Sequence, residues 1–253
     1  MNRRMHVNNY LKNLEKIEFV VTYACTGSCK HCSEGEHNAC GEHIAPSVAA
    51  DAVKKIASAY KIKTVMAFGG EPLLYPDAVY AIMSAARDAK VEKRQVITNG
   101  YFSKDEKCIK EVAKRLFECG VNDLLLSADA FHQESIPLET VKRFAAAAKD
   151  AGVPVRVQPA WLVSRDDDNP YNLKTKEIIG EIGIDENEGN IIFPEGNAVK
   201  YLSEYFTGET VQNPYVEDAY DVKCVSFDPN GDVLCGNVYQ KDVLKILDEY
   251  EPK

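Results

Sequence analysis

Long apolar runs are missing from this chain. No stretch of its 253 residues approaches the roughly eighteen consecutive apolar positions a membrane-spanning helix needs. Positive charge is also short: 30 lysines and arginines stand against 39 aspartates and glutamates, a formal net charge of −9. With no basic stripe to meet phosphates, nucleic acid is not expected as the main partner. The first ten residues, Met1 to Tyr10, contain no apolar core followed by small residues, so no secretory signal is read there. The expected location is the cytoplasm. Eight cysteines are too few for a disulfide scaffold, and neither internal repeats nor low-complexity tracts occur. What remains is a chain long enough to bury a full core, as one domain or one domain with a small appendage.

Three of those cysteines are bunched. Cys25-Thr-Gly-Ser-Cys29-Lys-His-Cys32 follows an apolar run, Ile17 to Tyr23, that reads as a strand. Three thiolates at CxxxCxxC spacing are one short of the four that close a cubane cluster or a structural zinc. A site with three protein ligands keeps one coordination position open, as chemistry requires. The alternative is a zinc knuckle completed by His31 or a later residue.

The rest of the chain alternates strand and helix. Helical spacing runs over 47–60, and Thr64–Phe68 is an apolar strand ended by Gly69-Gly70. A helix over 77–90 precedes the strand Arg94–Thr98. Ser103-Lys-Asp-Glu106 has the form of a capping box for a helix closing at Gly120. The strand Asp123–Ser127 and a helix over 138–151 follow. A strand over 153–163 is interrupted by Pro159, a weaker helix covers 173–182, and Asn190–Phe193 is the sixth strand. Such alternation gives parallel strands with right-handed crossovers.

CxxxCxxC after the first strand, with His31 before the last cysteine, resembles the cluster loop of radical S-adenosylmethionine (SAM) enzymes. Gly69-Gly70-Glu71-Pro72, about forty residues on and ending the next strand, resembles that family's GGEP. The resemblance implies an α/β fold, a partial (β/α)6 TIM-like barrel, with chemistry at the C-terminal ends of the strands. It implies a [4Fe–4S] cluster on Cys25, Cys29 and Cys32, with SAM chelating the fourth iron. One electron then cleaves SAM to methionine and a 5′-deoxyadenosyl radical that takes hydrogen from a substrate. Gly69, Gly70 and Glu71 would hold the amino group of SAM, so a bulky residue at Gly70 is expected to weaken SAM binding alone.

Other polar motifs fall at strand ends. Asn99, in Thr98-Asn99-Gly100, is a candidate contact to SAM or substrate, against an ordinary Asn-Gly turn. Ser127-Ala128-Asp129 resembles the family's Ser-x-Asp, whose side chains reach the SAM ribose or carboxylate. His132 is a candidate substrate contact or proton donor. Gln158 and Arg143 are candidates for the SAM carboxylate, although Arg143 lies on a helix, where a solvated role is usual. Phe193-Pro-Glu-Gly196-Asn197-Ala198 resembles the family's Pro-x-Gly-Arg-Ala, with Asn197 where arginine is common. His37, Cys40 and His43 are spaced HxxCxxH and could hold a second metal. Cys108 and Cys119, about three turns apart on one helix, fit core packing.

The core is expected over 1–200 and an extension over 201–253, a small β-hairpin plus helix. Cys224 to Cys235 reads as a hairpin turned by Asn230-Gly231. It resembles the auxiliary-cluster domain called SPASM, or its short form twitch, but the helix expected over 240–250 carries no cysteine. Cys224 and Cys235 could ligate a cluster only with a borrowed ligand such as Cys40, so a degenerate remnant is favoured. No Asp-Gly-x-Gly precedes the cysteines, which argues against glycyl-radical activases. Peptide maturases with SPASM-type tails are the nearest resemblance. About fifteen residues precede the first strand, so a separate recognition protein or direct peptide binding is expected. Asp166-Asp167-Asp168 could face a cationic substrate or simply be a solvated loop. The reading is an enzyme acting on a peptide side chain or small metabolite, fed by a flavodoxin- or ferredoxin-like donor. The rival is a non-enzymatic iron–sulfur redox sensor or metal-binding protein that keeps the fold.

Overall fold

The computed structural model describes residues 8–38, 40–206 and 211–252. In chain order the elements are β1 (Lys16–Val20), α1 (Pro46–Ala59), β2 (Thr64–Phe68), α2 (Pro76–Asp88), β3 (Lys93–Thr98) and α3 (Glu106–Glu118). They continue as β4 (Asp123–Leu126), α4 (Leu138–Asp150), β5 (Val155–Val157), β6 (Ala160–Trp161), α5 (Pro170–Ile182), β7 (Asn190–Ile191) and α6 (Asn197–Tyr201). Last come β8 (Cys224–Phe227), β9 (Asp232–Val233), β10 (Gly236–Asn237) and α7 (Val243–Asp248).

The main sheet has the order β5-β4-β3-β2-β1-β8, every pairing parallel. Period-2 alternation sorts its side chains. On β1, Ile17 and Phe19 are fully buried beneath the helices, while Lys16, Glu18 and Val20 are half-buried on the other face. The helices return apolar stripes at i, i+3, i+4 and i+7: Ala49, Ala52, Val53 and Ile56 on α1, and Ile109, Val112, Ala113 and Leu116 on α3. This is the mixed α/β, partial TIM-like architecture the alternation predicts. No helix among the described residues is long and apolar enough to cross a membrane.

Two local features differ from the sequence reading, and the interruption read at Pro159 is seen. The first turn of α3 is capped by Asp105, whose carboxylate accepts from Lys107 N at 3.1 Å, while Ser103 Oγ accepts from Asp105 N. The barrel wall splits at Pro159, which has no N–H to give, and β6 pairs with β7 as a separate parallel ladder. The C-terminal hairpin is β9 with β10, beyond Asn230-Gly231. Cys224–Phe227 instead joins the main sheet alongside β1, in register Lys16↔Cys224 to Phe19↔Phe227. Burial explains this choice. Val225 and Phe227 become fully buried there, and Phe227 stacks on Phe19 with ring centroids 4.7 Å apart.

Candidate functional site

The loop after β1 is tied to the end of β2 by backbone alone. Gly70 N donates to Thr22 O and Glu71 N to Ala24 O, both at 2.8 Å. A Cβ on Gly70 would lie 2.2 Å from Ala24 O and 2.8 Å from Tyr23 O, and one on Gly69, whose φ is +142°, 2.5 Å from Thr22 O. The paired glycines therefore first serve the approach of the chain's own cysteine loop, as well as leaving the cleft wall bare. The loop is held elsewhere by Cys25 N to Asn38 O at 2.9 Å and by Ser28 N to Ser135 Oγ at 3.0 Å.

Cys25, Cys29 and Cys32 line one cleft with His31, His37, Gly69, Gly70, Asn99, Ser127 and His132; its empty space is about 810 Å³, open to solvent. Burial pushes the Cys25 thiol up to about 11 and raises Cys29 and Cys32 as well. Gly27 N and Asn99 Nδ2 donate to Cys25 Sγ at 3.3 and 3.5 Å. Among the described residues, only Cys29, His31 and His132 form a group of three potential ligands within 4.8 Å of one another. Cys25, Cys29 and Cys32 are not gathered in such a group among the described residues. A multinuclear cluster does not need one ion shared by all three, since each sulfur takes its own iron. The donor set and the glycine-bared wall beside it fit a [4Fe–4S] cluster with a ligand on its free corner.

Two carboxylates read from the sequence as SAM contacts are buried struts. Glu71 has no exposed surface; its oxygens accept from Leu73 N, Thr98 Oγ1 and Asn99 N at 2.8–2.9 Å. Burial outweighs these bonds and pushes its carboxyl up to about 7. Such a group binds more protons folded than unfolded, so stability falls as pH rises from about 4.5 to about 7. Glu71→Gln should flatten that decline, worth on the order of 3 kcal/mol, in urea melts taken across the range.

Asp129 is likewise wholly buried. Oδ1 accepts from Phe131 N and His132 N, and Oδ2 from Ala160 N and His132 Nδ1, at 2.8–3.0 Å. Burial alone would raise its pKa, but His132, His31 and the backbone donors hold it well below the usual carboxylate range. Asp129 therefore fixes His132, whose ring faces His31 edge-on at 4.8 Å between centroids. Burial lowers His31 to about 4, and its Nδ1 has no partner among the described residues.

Gln158 lies outside the cleft lining, bonded to Asn187 and Asn190 across the β5–β7 seam. Arg143 donates to Glu139 O on its own helix, at the surface. His37, Cys40 and His43 are not gathered: His37 bridges Cys32 Sγ at 3.0 Å and Tyr23 O, His43 stacks on Tyr75, and Cys40 is exposed. Among the described residues, no group of three potential ligands includes Cys224, Cys235 or Cys40. Asp167 and Asp168 serve their own loop and Lys176.

Asn197 was legible only as a departure from a motif. The structure gives it a task. Its Nδ2 donates to Cys29 O at 3.0 Å and Gly35 O at 3.1 Å, and its N to Cys32 O at 2.8 Å. Asn197→Ala leaves Gly35 O without its donor and Cys29 O with only the longer bond from Cys32 N at 3.3 Å. It is expected to cost about 1–3 kcal/mol in thermal melts and to slow iron uptake. Arginine there should not rescue, because the side chain is 7% exposed and lies against the loop.

The radical SAM superfamily model matches residues 19–171, three-fifths of the chain. This chain belongs to the radical SAM superfamily. Enzymes of that superfamily use a [4Fe–4S] cluster and S-adenosylmethionine. A probable GTP 3′,8-cyclase of Methanocaldococcus jannaschii is 22% identical over 123 residues, 49% of this chain and 39% of that protein. The chain thus spans about two-fifths of that curated relative's length. Among solved structures, SuiB of Streptococcus suis bound to precursor peptide SuiA superposes with a TM-score of 0.61 at 14% identity, over 96% of this chain and 66% of SuiB. anSMEcpe with bound AdoMet gives 0.58 at 17% identity, over 94% and 81%. At these identities the likeness is one of fold.

Proposed function

We propose that the chain cleaves SAM reductively at the Cys25, Cys29, Cys32 site and abstracts hydrogen from a peptide side chain or, less favoured, a small metabolite. The convergence of the three thiols, Gly69-Gly70, Asn99 and Ser127 on one cleft carries this reading. A [4Fe–4S] cluster on the three cysteines would supply the electron, refilled by a flavodoxin- or ferredoxin-like protein. Gly69 and Gly70 offer backbone to the amino group of SAM, and Ser127 lines the same cleft. Asn99 donates to Cys25 Sγ, and Asp129 orients His132 so that its Nε2 can hold or pass a proton in the cleft. Support for a peptide substrate is the likeness to SuiB with its precursor peptide over nearly the whole chain. In this reading residues 201–253 close the barrel through β8 without carrying metal, and the protein works in the cytoplasm.

Anaerobic reconstitution with iron and sulfide, then SAM and dithionite, tests it. About four irons per chain and 5′-deoxyadenosine are expected, and Cys29→Ala should lose both. Four irons without SAM cleavage would favour the redox sensor. Eight would mean that Cys224 and Cys235 bind a cluster after all.

A further inference from the structure

We propose that the cluster-free chain has an alternative single-ion site in the same cleft, made by Cys29 Sγ and one ring nitrogen each of His31 and His132. It takes a thiophilic divalent cation such as Zn²⁺. The three ligand atoms already lie within 4.8 Å of one another. A tetrahedral ion needs them about 3.3–3.5 Å apart, so the ligand atoms must close by up to about 1.5 Å on binding. His132 Nδ1 is held by Asp129 Oδ2 at 2.8 Å, which leaves Nε2 as its ligating atom. A carboxylate behind a ligating imidazole is the arrangement that orients histidines on zinc. His31 Nδ1 is buried with no hydrogen-bond partner among the described residues. The cleft supplies room for water as the fourth ligand.

Sulfur and two imidazoles are a donor set for Zn²⁺ or Co²⁺, not for Mg²⁺ or Ca²⁺. On binding, Cys29 releases its thiol proton to solvent. The ion and the cluster both need Cys29, so only one can be present. Zinc would therefore hold back iron–sulfur loading.

The test is a Co²⁺ titration of the anaerobic, cluster-free full chain, followed by displacement with Zn²⁺. One Co²⁺ per chain is expected, with a thiolate charge-transfer band and the visible bands of a tetrahedral ion. His132→Ala and His31→Ala should each raise Kd at least about tenfold, whereas Cys25→Ala and Cys32→Ala leave it unchanged. Circular dichroism on every variant guards against misfolding, with His132→Gln as the conservative second variant. Zn²⁺ should also slow cluster reconstitution in the wild-type chain more than in His132→Ala. Binding that survives His132→Ala and disappears with Cys25→Ala would overturn the proposal, because the three thiols would then hold the ion. So would the absence of a charge-transfer band or of any binding.

Discussion

Gly70→Ala is expected to lower the melting temperature and iron loading together, with loading below half that of the wild type. The added methyl group would sit 2.2 Å from Ala24 O, 2.7 Å from Ala24 C and 2.8 Å from Tyr23 O, all backbone atoms. Rotamer change cannot relieve a clash with backbone, so the segment that leads into Cys25 must move. Overpacking of this kind costs about 1–3 kcal/mol, and here it also strains the two hydrogen bonds that dock the loop on β2. The motif alone implied a loss of SAM affinity only. The structure extends this, because the glycine's first neighbour is the cysteine loop itself. Gly41→Ala is the control, since its Cβ would make only an ordinary 3.7 Å contact with Ala24 Cβ. A Gly70→Ala protein that melts and loads iron normally, and loses only SAM binding, would refute the steric argument.

The second large effect is at Asp129. Replacing it with alanine strips the acceptor from three backbone donors, the buried Phe131 N and Ala160 N and the part-buried His132 N, and frees the His132 ring. The carboxylate joins the end of β4 to the start of β6, where the two ladders of the barrel meet. A loss of about 3–5 kcal/mol in urea unfolding is expected. His132→Ala should cost far less, because that side chain is only one of the four partners. Equal losses in the two variants would mean that the His132 contact, rather than the backbone donors, supplies the stability. Asp129→Asn should fall between them, since an amide offers one accepting oxygen where the fold uses two.

Much was legible before any coordinates. CxxxCxxC and GGEP are local patterns whose residue types have few other uses at that spacing, and they brought the family into view. The strand–helix alternation was legible too, because burial of one face imposes periods of 2 and 3.6 on the chain itself. The helices at 47–60, 77–90 and 138–151 agree with α1, α2 and α4 to within two residues at each end.

Only the tertiary structure decided which polar groups face the cleft. Glu71 and Asp129 stand in site motifs, yet both point into the wall and spend their oxygens on backbone donors. Asn197, more than 160 residues from Cys29, braces the loop through carbonyls that have no sequence signature. The placement of Cys224–Phe227 was decided in the same way. Alternation marks it as a strand, and the choice between a local hairpin and a seat beside β1 rests on distant Phe19. A residue's own type and its neighbours in sequence fix its local conformation and its need for burial or partners. Which atoms meet those needs depends on contacts closed across the chain, and no local pattern encodes them.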